Sequence, residues 1–413
     1  MQAEARRLIL RGTPAFRHTN LALFAAGFAT FALMYCVQPL LPLFAQLFHI
    51  SAASSSLAIS SVTASVAVAI LLAGSISEAW GRKPVMTASM FASAILTTVS
   101  PLAPGWPSFL GMRALEGLAF SGLPAVAMAY LSEEMHPSAI GLAMGLYVGG
   151  TAVGGMSGRF LIGVLTDLAG WRIALSSIGV VGLIAAFIFW RSLPDSRHFH
   201  ARPMHLGSLM KSFADHLAEP GLRWLFLEGF LLMGAFVTVY NYVGFRLMAL
   251  PYSLSHSAVG AIFAVYLVGT VSSAWVGNLA GRLGRRNVFW CVVLCMLVGV
   301  LITLLRPLAL IVFGLAVFTF GFFGGHSVLS SWVGLRARHS KAQASSLYLF
   351  FYYLGSSVAG TVGGYFWKLY RWPGVVAFLA ALLFIALMVG VGLTALVPLD
   401  AVRNDVPQKS GVA

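Results

Sequence analysis

Two stretches, GSISEAWGRKP at residues 74–84 and GNLAGRLGRRN at 277–287, share one spacing. Gly74, Gly81, Arg82 and Lys83 stand in the first where Gly277, Gly284, Arg285 and Arg286 stand in the second, 203 residues later. The first copy also holds Glu78, where the second has Gly281. Such a cluster of charge needs a reason, because only 9% of the 413 residues are charged. The chain repeats itself at about half its length.

A chain that is 59% hydrophobic has too few charges to cover a water-facing surface, for which soluble domains use roughly 25%. It reads as a polytopic membrane protein. Apolar runs near the ~20 residues needed to cross hydrocarbon fall at 20–43, 54–76, 84–101, 107–130, 140–164 and 173–190, then at 223–248, 258–280, 288–305, 308–332, 344–367 and 374–397. The ~10-residue alternating segments of a membrane barrel are absent from the sequence. The expected fold is an all-α membrane protein with twelve transmembrane helices in two six-helix, pseudo-symmetric bundles. Residues 1–18 read as an N-terminal tail, 19–190 as the first bundle, 191–222 as a linker, 223–398 as the second bundle and 399–413 as a C-terminal tail. Within the linker, an amphipathic stretch around Met204–Leu217 is expected to lie along lipid headgroups.

Charge sets the orientation. With the amino terminus inside, the inner segments hold 19 of the 26 Lys and Arg, the outer loops hold five, and Arg113 and Arg159 lie within spans. This is the positive-inside asymmetry. It places both termini and the linker in the cytoplasm and accounts for the +14 net charge without nucleic acid. No removable signal peptide is read at the start. Cys36, Cys291 and Cys295 all lie in apolar runs and read as small packing residues, with no metal or disulfide role and no cofactor expected.

The frame G-x-x-x-acid-x-x-G-R-(R/K) at 74–83 resembles the loop signature of the major facilitator superfamily, and twelve spans in two halves around a long middle loop are similar to that family. RALEG at 113–117, with Arg113, resembles its fourth-helix motif. GLYVGGTAVGGMSG at 145–158 resembles the glycine-rich fifth-helix motif associated with antiporters, with Gly150 in place of proline and the glycine pair one residue later, at Gly154 and Gly155. Within the superfamily the likeness is to bacterial inner-membrane efflux permeases of the arabinose-efflux and drug-resistance type, although the acid that drug antiporters carry in span one is replaced by the neighbourhood of Tyr35 and Gln38. The resemblance implies that Glu78 reaches the start of span eleven, Lys341 to Ser346, when the cavity faces outward.

Charge inside a span costs about 2.5–3.5 kcal/mol at its centre on insertion scales, and of twelve acids only Glu116 and Glu228 fall there. Glu116 follows Arg113 by three residues, so the two can pair, as a coupling site or as a packing pair. Glu228 and Asn241 point about 220° apart on one helix, so Asn241 is assigned to the cavity and Glu228 to an inner gate or a snorkelling position. His326 titrates near neutral pH in principle, and serves either proton exchange or packing. Tyr35, Gln38, Asn241, Tyr348 and Tyr352 complete a candidate cavity for amphipathic molecules. In span five, Gly141, Gly145 and Gly149 form one row and Gly150, Gly154 and Gly158 another, and both are expected to bring neighbouring helices close.

No phosphate-binding nucleotide loop occurs in the sequence, and no nucleophile, acid and base converge, so neither an ATP-driven pump nor an enzyme is expected. The reading is a monomeric secondary transporter in a bacterial inner membrane. It couples protons to export of small organic molecules by alternating access; the alternative is a proton symporter importing a small metabolite.

Overall fold

Span one begins at Pro14, whose fixed φ suits a first helical turn, and Thr13 Oγ1 accepts the Phe16 amide at 3.2 Å. This cap starts the helix inside the stretch read as a tail, because helices extend beyond the hydrocarbon that hydropathy detects. The computed structural model describes residues 8–199, 201 and 206–394. The tail read at 399–413 lies outside the described residues, as do residues 1–7 and Met204 and His205 of the amphipathic stretch.

Among the described residues, ten helical passages are long and apolar enough to cross a membrane. Span four is two shorter helices, Trp106–Phe120 and Pro124–Glu134. The last of the ten, Lys341–Thr394, turns at Tyr370 and Arg371, where the backbone leaves helical geometry. Its 54 residues would reach about 80 Å if straight, far more than one crossing, so it supplies spans eleven and twelve. The total is twelve. The remaining passages are Ala52–Trp80, Arg82–Val99, Pro137–Ala169 and Trp171–Ser192 for spans two, three, five and six, and Pro220–Met248, Arg285–Ile302 and Leu308–Arg336 for seven, nine and ten.

Spans one and eight are interrupted. Span one runs Pro14–Tyr35, makes a 3-10 turn at Gln38–Leu40 and resumes at Leu41–Leu47, because Pro39 and Pro42 supply no amide donors. Span eight runs His256–Ile262, turns at Phe263–Val265 and continues as Tyr266–Leu283.

Glycines set the spacing inside each half. A Cβ at Gly154 of span five would lie 2.0 Å from the Phe28 carbonyl oxygen of span one, and one at Gly355 of span eleven 2.1 Å from that of Phe230 in span seven. The same backbone contact is made in both halves. The sequence reading of a second close-packed row in span five is corrected, since a Cβ at Gly141, Gly145 or Gly149 meets nothing within 4 Å. That row faces open space.

Between the halves, contacts gather toward one end. A Cβ at Gly163 would sit 2.4 Å from the His256 carbonyl oxygen, and one at Gly364 would sit 2.4 Å from the Ala53 Cα. Asp167 Oδ2 accepts the Ser257 amide at 2.8 Å, and its Oδ1 lies 2.8 Å from His256 Nδ1. Nearer the middle, Ser60 and Ser357 each donate a hydroxyl to the other's carbonyl at 3.0 Å. At the opposite end, the pairs Arg82–Glu133 and Arg336–Glu219, each 2.7 Å, stay inside one half.

The linker helix is Leu206–Ala218. Leu209 and Phe213 are buried, and His216 Nε2 lies 3.2 Å from the Ser340 carbonyl. Leu209 and Phe213 thus pack into the protein, while Met210 and Leu217 stay exposed.

Candidate functional site

The interruptions in spans one and eight surround one side chain that sequence reasoning left without a role. Arg159, from the glycine-rich part of span five, is almost fully buried and carries its guanidinium 4.7 Å from the Tyr35 ring and 4.9 Å from each of the Phe263 and Tyr266 rings. Rings at this distance attract a cation through their quadrupoles. Its Nε donates to Gln38 Oε1 at 2.8 Å, and Nη1 donates to the Gly155 carbonyl at 2.5 Å. Gln38 then donates through Nε2 to Asn241 Oδ1 at 2.8 Å, crossing from the first half to the second.

Arg159 lines a cavity of about 260 Å³ between the halves. The first half contributes Tyr35, Tyr147 and Thr151, and the second contributes Phe322, His326 and Tyr352. The wall is mostly apolar and aromatic. His326 Nδ1 shares a hydrogen bond with Tyr348 Oη at 2.8 Å, and the ring centres of His326 and Tyr352 are 4.8 Å apart.

Of the residues assigned to a cavity from sequence, Tyr35 and Tyr352 line it. Gln38 and Asn241 stand behind Arg159 as a buried bridge, and Tyr348 stands behind His326. Asn241 was assigned to the cavity on helical angle alone, but span seven is buried on nearly every side, so its angle distinguishes no cavity face.

Arg113 and Glu116 pair in full burial inside the first half, and neither lines the cavity. Arg113 Nε donates to the Ala58 carbonyl at 3.0 Å and Nη2 to that of Met34 at 2.7 Å. Nη1 reaches the Leu33 carbonyl at 3.5 Å as well as Glu116. Leu33 and Met34 lie in the last turn before the span-one interruption, where carbonyls lose their helical partners. The pair therefore caps the bend that presents Tyr35 to the cavity. Glu228 is fully buried in the second half, and a Cβ at Gly390 would approach its Oε1 to 3.8 Å. It faces span twelve, and the snorkelling reading is corrected.

In the first repeated loop, Gly81 has φ of 101° at the junction of spans two and three, and Gly284 has φ of 89° between eight and nine. Glycine adopts this region without a Cβ penalty. Arg82 is buried. It donates to both oxygens of Glu133 at 3.1 and 2.7 Å and to Ser77 Oγ at 2.6 Å. Lys83 meets Asp195 at 2.8 Å, while Glu78 lies 3.9 Å from Arg82 and is half-exposed. In the second copy Arg285 donates to Ser331 Oγ at 3.2 Å, Gly277 lies against Ser327, and Gly74 and Gly281 border open space. Arg286 is also engaged.

Sequence reasoning passed over Arg159, Glu133 and Asp167. Arg159 carries a visible signal, since a cation within a span is as costly as an acid there.

A profile of the Major Facilitator Superfamily matches residues 23–360. The chain is 50% identical over 388 residues to the inner membrane transport protein YnfM of Escherichia coli (strain K12), covering 94% of this chain and 93% of that protein. It is 47% identical over 397 residues to the uncharacterized MFS-type transporter YybF of Bacillus subtilis (strain 168), covering 96% and 98%. Its fold resembles that of the nucleoside transporter NupG, with TM-score 0.76 at 15% identity over 91% of this chain and 99% of that one. A bacterial homologue of the human lysosomal transporter Spinster, solved inward-facing and unoccupied, gives 0.71 at 14% identity over 92% and 95%.

Proposed function

This chain belongs to the Major Facilitator Superfamily, and from that premise we propose that it couples proton entry to the export of small organic molecules. It is a multi-pass secondary transporter and not an enzyme. In the proposed reading it acts as a monomer in a bacterial inner membrane, with both termini and the linker cytoplasmic, and is of the efflux type. On that orientation the Asp167–His256 end is periplasmic and closed, and the open glycine row of span five borders the cytoplasmic side.

The observation that carries the reading is the position of the Arg113–Glu116 pair. It holds the Met34 carbonyl next to Tyr35, and Tyr35 is both cavity wall and ring partner of Arg159. A proton on Glu116 would weaken its hold on Arg113, and the span-one bend would be freed at the point where substrate sits. His326 and Glu228 are the second-half candidates for the same role. Export rather than import rests on the glycine-rich stretch of span five, whose Gly150, Gly154 and Gly158 pack on span one and make the rocking element a close-fitting one.

Proteoliposomes with an imposed pH gradient and a panel of aromatic and aliphatic probes test this. Probe movement toward the acidic side, with proton flow the other way, is expected. Probe and protons moving together would establish symport, and movement indifferent to the gradient would make the protein a facilitator.

A further inference from the structure

We infer that the cavity takes small organic anions, carboxylates carrying an apolar body, with Arg159 as the anion subsite. The inference names a substrate class for the transport cavity and rests on reading that cavity as the carrier's binding site.

Two buried arginines make the comparison. Arg113 is matched in charge: Glu116 balances it, and carbonyls of Ala58, Leu33 and Met34 take further donors. Arg159 is almost as deeply buried, but no carboxylate among the described residues lies within ion-pair distance of it. Its bonded partners are neutral, the Gln38 amide oxygen and the Gly155 carbonyl. Nη2 makes no hydrogen bond among the described residues, and the side chain borders the cavity.

A buried guanidinium keeps its charge, and its binding partner of choice is an anion held by charge-assisted hydrogen bonds. Three rings attract the charge without using a donor, and with Nε given to Gln38 and one Nη1 donor to Gly155, the Nη2 donors remain available to a carboxylate. Arginine presents donors in a fork that fits this geometry. Gly155 contributes by absence, since a Cβ there would come within 3.2 Å of Arg159 Nη1.

The rest of the wall decides against an inorganic ion. Phe236, Phe322 and Phe323 of the second half line the cavity, and its volume of about 260 Å³ is near the lower end of organic-ligand pockets, roughly 300–1,000 Å³. One or two rings bearing one carboxylate suit both the charge and the apolar wall.

The test uses the purified full chain in detergent with 4-hydroxybenzoate, 2-naphthoate and hexanoate, the amide of each, and benzylamine. Thermal shift and intrinsic fluorescence should show at least one acid bound about tenfold more tightly than its own amide, with benzylamine the weakest. Arg159→Gln should bring acid and amide to the same affinity, and Arg159→Lys should keep part of the preference. The acid-against-amide comparison on the unaltered protein stands even if those variants fold poorly. A panel in which no acid binds more tightly than its amide, or in which chloride alone competes, overturns the inference. Acid binding without gradient-driven transport would leave it intact and sink the coupling instead.

Discussion

Gln38 donates to Asn241 at 2.8 Å across the two halves, and the two residues are 203 positions apart, the same offset that separates the repeated loops at 74–84 and 277–287. Equivalent positions of the two repeats therefore meet each other. Only residues on the pseudo-twofold axis can do so, and the axis is the part of a rocking machine that moves least. The bond is buried at both ends, and Gln38 Oε1 holds Arg159. The bridge thus ties the cavity's one lining arginine to the fixed line between the halves.

Removing one partner of this bridge leaves the other buried and unmatched, which costs about 1–3 kcal/mol. Gln38→Ala and Asn241→Ala should each lower thermal stability, and the double variant should lose less than the sum, with a coupling of about 0.5–3 kcal/mol. Gln38→Ala should also raise the KM for transported probes more than Asn241→Ala does, since it alone releases Arg159. Additive stability losses would show that the two side chains do not act as a joint.

Glu116→Gln keeps a hydrogen-bonding group beside Arg113 but cannot release a proton. Gradient-driven accumulation should fall to background while exchange of probe across proteoliposomes stays within about threefold, a change under 1 kcal/mol. Uphill transport by the Gln variant would move the proton carrier to His326 or Glu228.

The spans were legible because hydrocarbon imposes a minimum apolar length, and the turn at Tyr370 and Arg371 falls between the runs read as 344–367 and 374–397. The repeat was legible through Gly81 and Gly284, whose positive φ values demand glycine. Arg159 was not, because its meaning depends on rings from two other spans and on a Gln–Asn bridge between repeats. None of these is near it in sequence. The clasp at Asp167 was hidden for a different reason: an acid at a helix end looks like any boundary residue until its partner 89 positions away, His256, is placed beside it.

Two glycines of span five should separate folding from cycling. A Cβ at Gly154 would lie 2.0 Å from backbone of its own half, and one at Gly163 would lie 2.4 Å from backbone of the other half. Either Cβ overpacks at a typical cost of about 1–3 kcal/mol, but the fold bears it at Gly154 and the closed end bears it at Gly163. Gly154→Ala should reduce the folded yield. Gly163→Ala should express normally and make a cysteine placed at Ser257 more reactive to an impermeant reagent in intact cells, on the orientation proposed above. Equal yields and equal labelling would remove the distinction.

Glu219 gives a pH signature at the opposite end. Burial tends to raise its carboxyl, but hydrogen bonds from Arg336 and the Leu222 amide, with the Arg336 charge, outweigh that and hold it below the usual carboxylate value. A depressed acid contributes stability that is complete above its unfolded value of about 4.3 and is lost as pH falls through the lower folded one. The pair is partly exposed, so about 0.5–1 kcal/mol is at stake. The difference in Tm between the unaltered protein and Glu219→Gln should be constant from about pH 8 to about pH 5 and shrink below about pH 4. A difference that grows on acidification would contradict the ion-pair account.

The two ends of the molecule should respond to charge removal in opposite directions. Asp167 accepts the Ser257 amide and meets His256 across the halves, so Asp167→Asn weakens the closed end and should shift the population toward outward-facing. Glu78 is placed differently: Arg82, its nearest cation at 3.9 Å, is committed to Glu133 through two donors, and Glu78 remains half-exposed. Its proposed partner is the start of span eleven at Lys341, where the first helical turn offers free amides and a partial positive charge of about 0.5. That contact would form only when this end closes, and at about 0.3–2 kcal/mol it would change the inward to outward ratio several-fold without holding the fold together. Glu78→Ala should therefore bias the protein inward and slow transport at normal expression. Gly281 has open space around it, so Gly281→Asp should be tolerated and leave the ratio the same or more outward. Spin labels at the linker-side ends of spans two and eleven would read all three variants as distances. A distribution that Glu78→Ala leaves unchanged would mean that the charges of the first repeated loop serve the Arg82–Glu133 pair and membrane orientation alone.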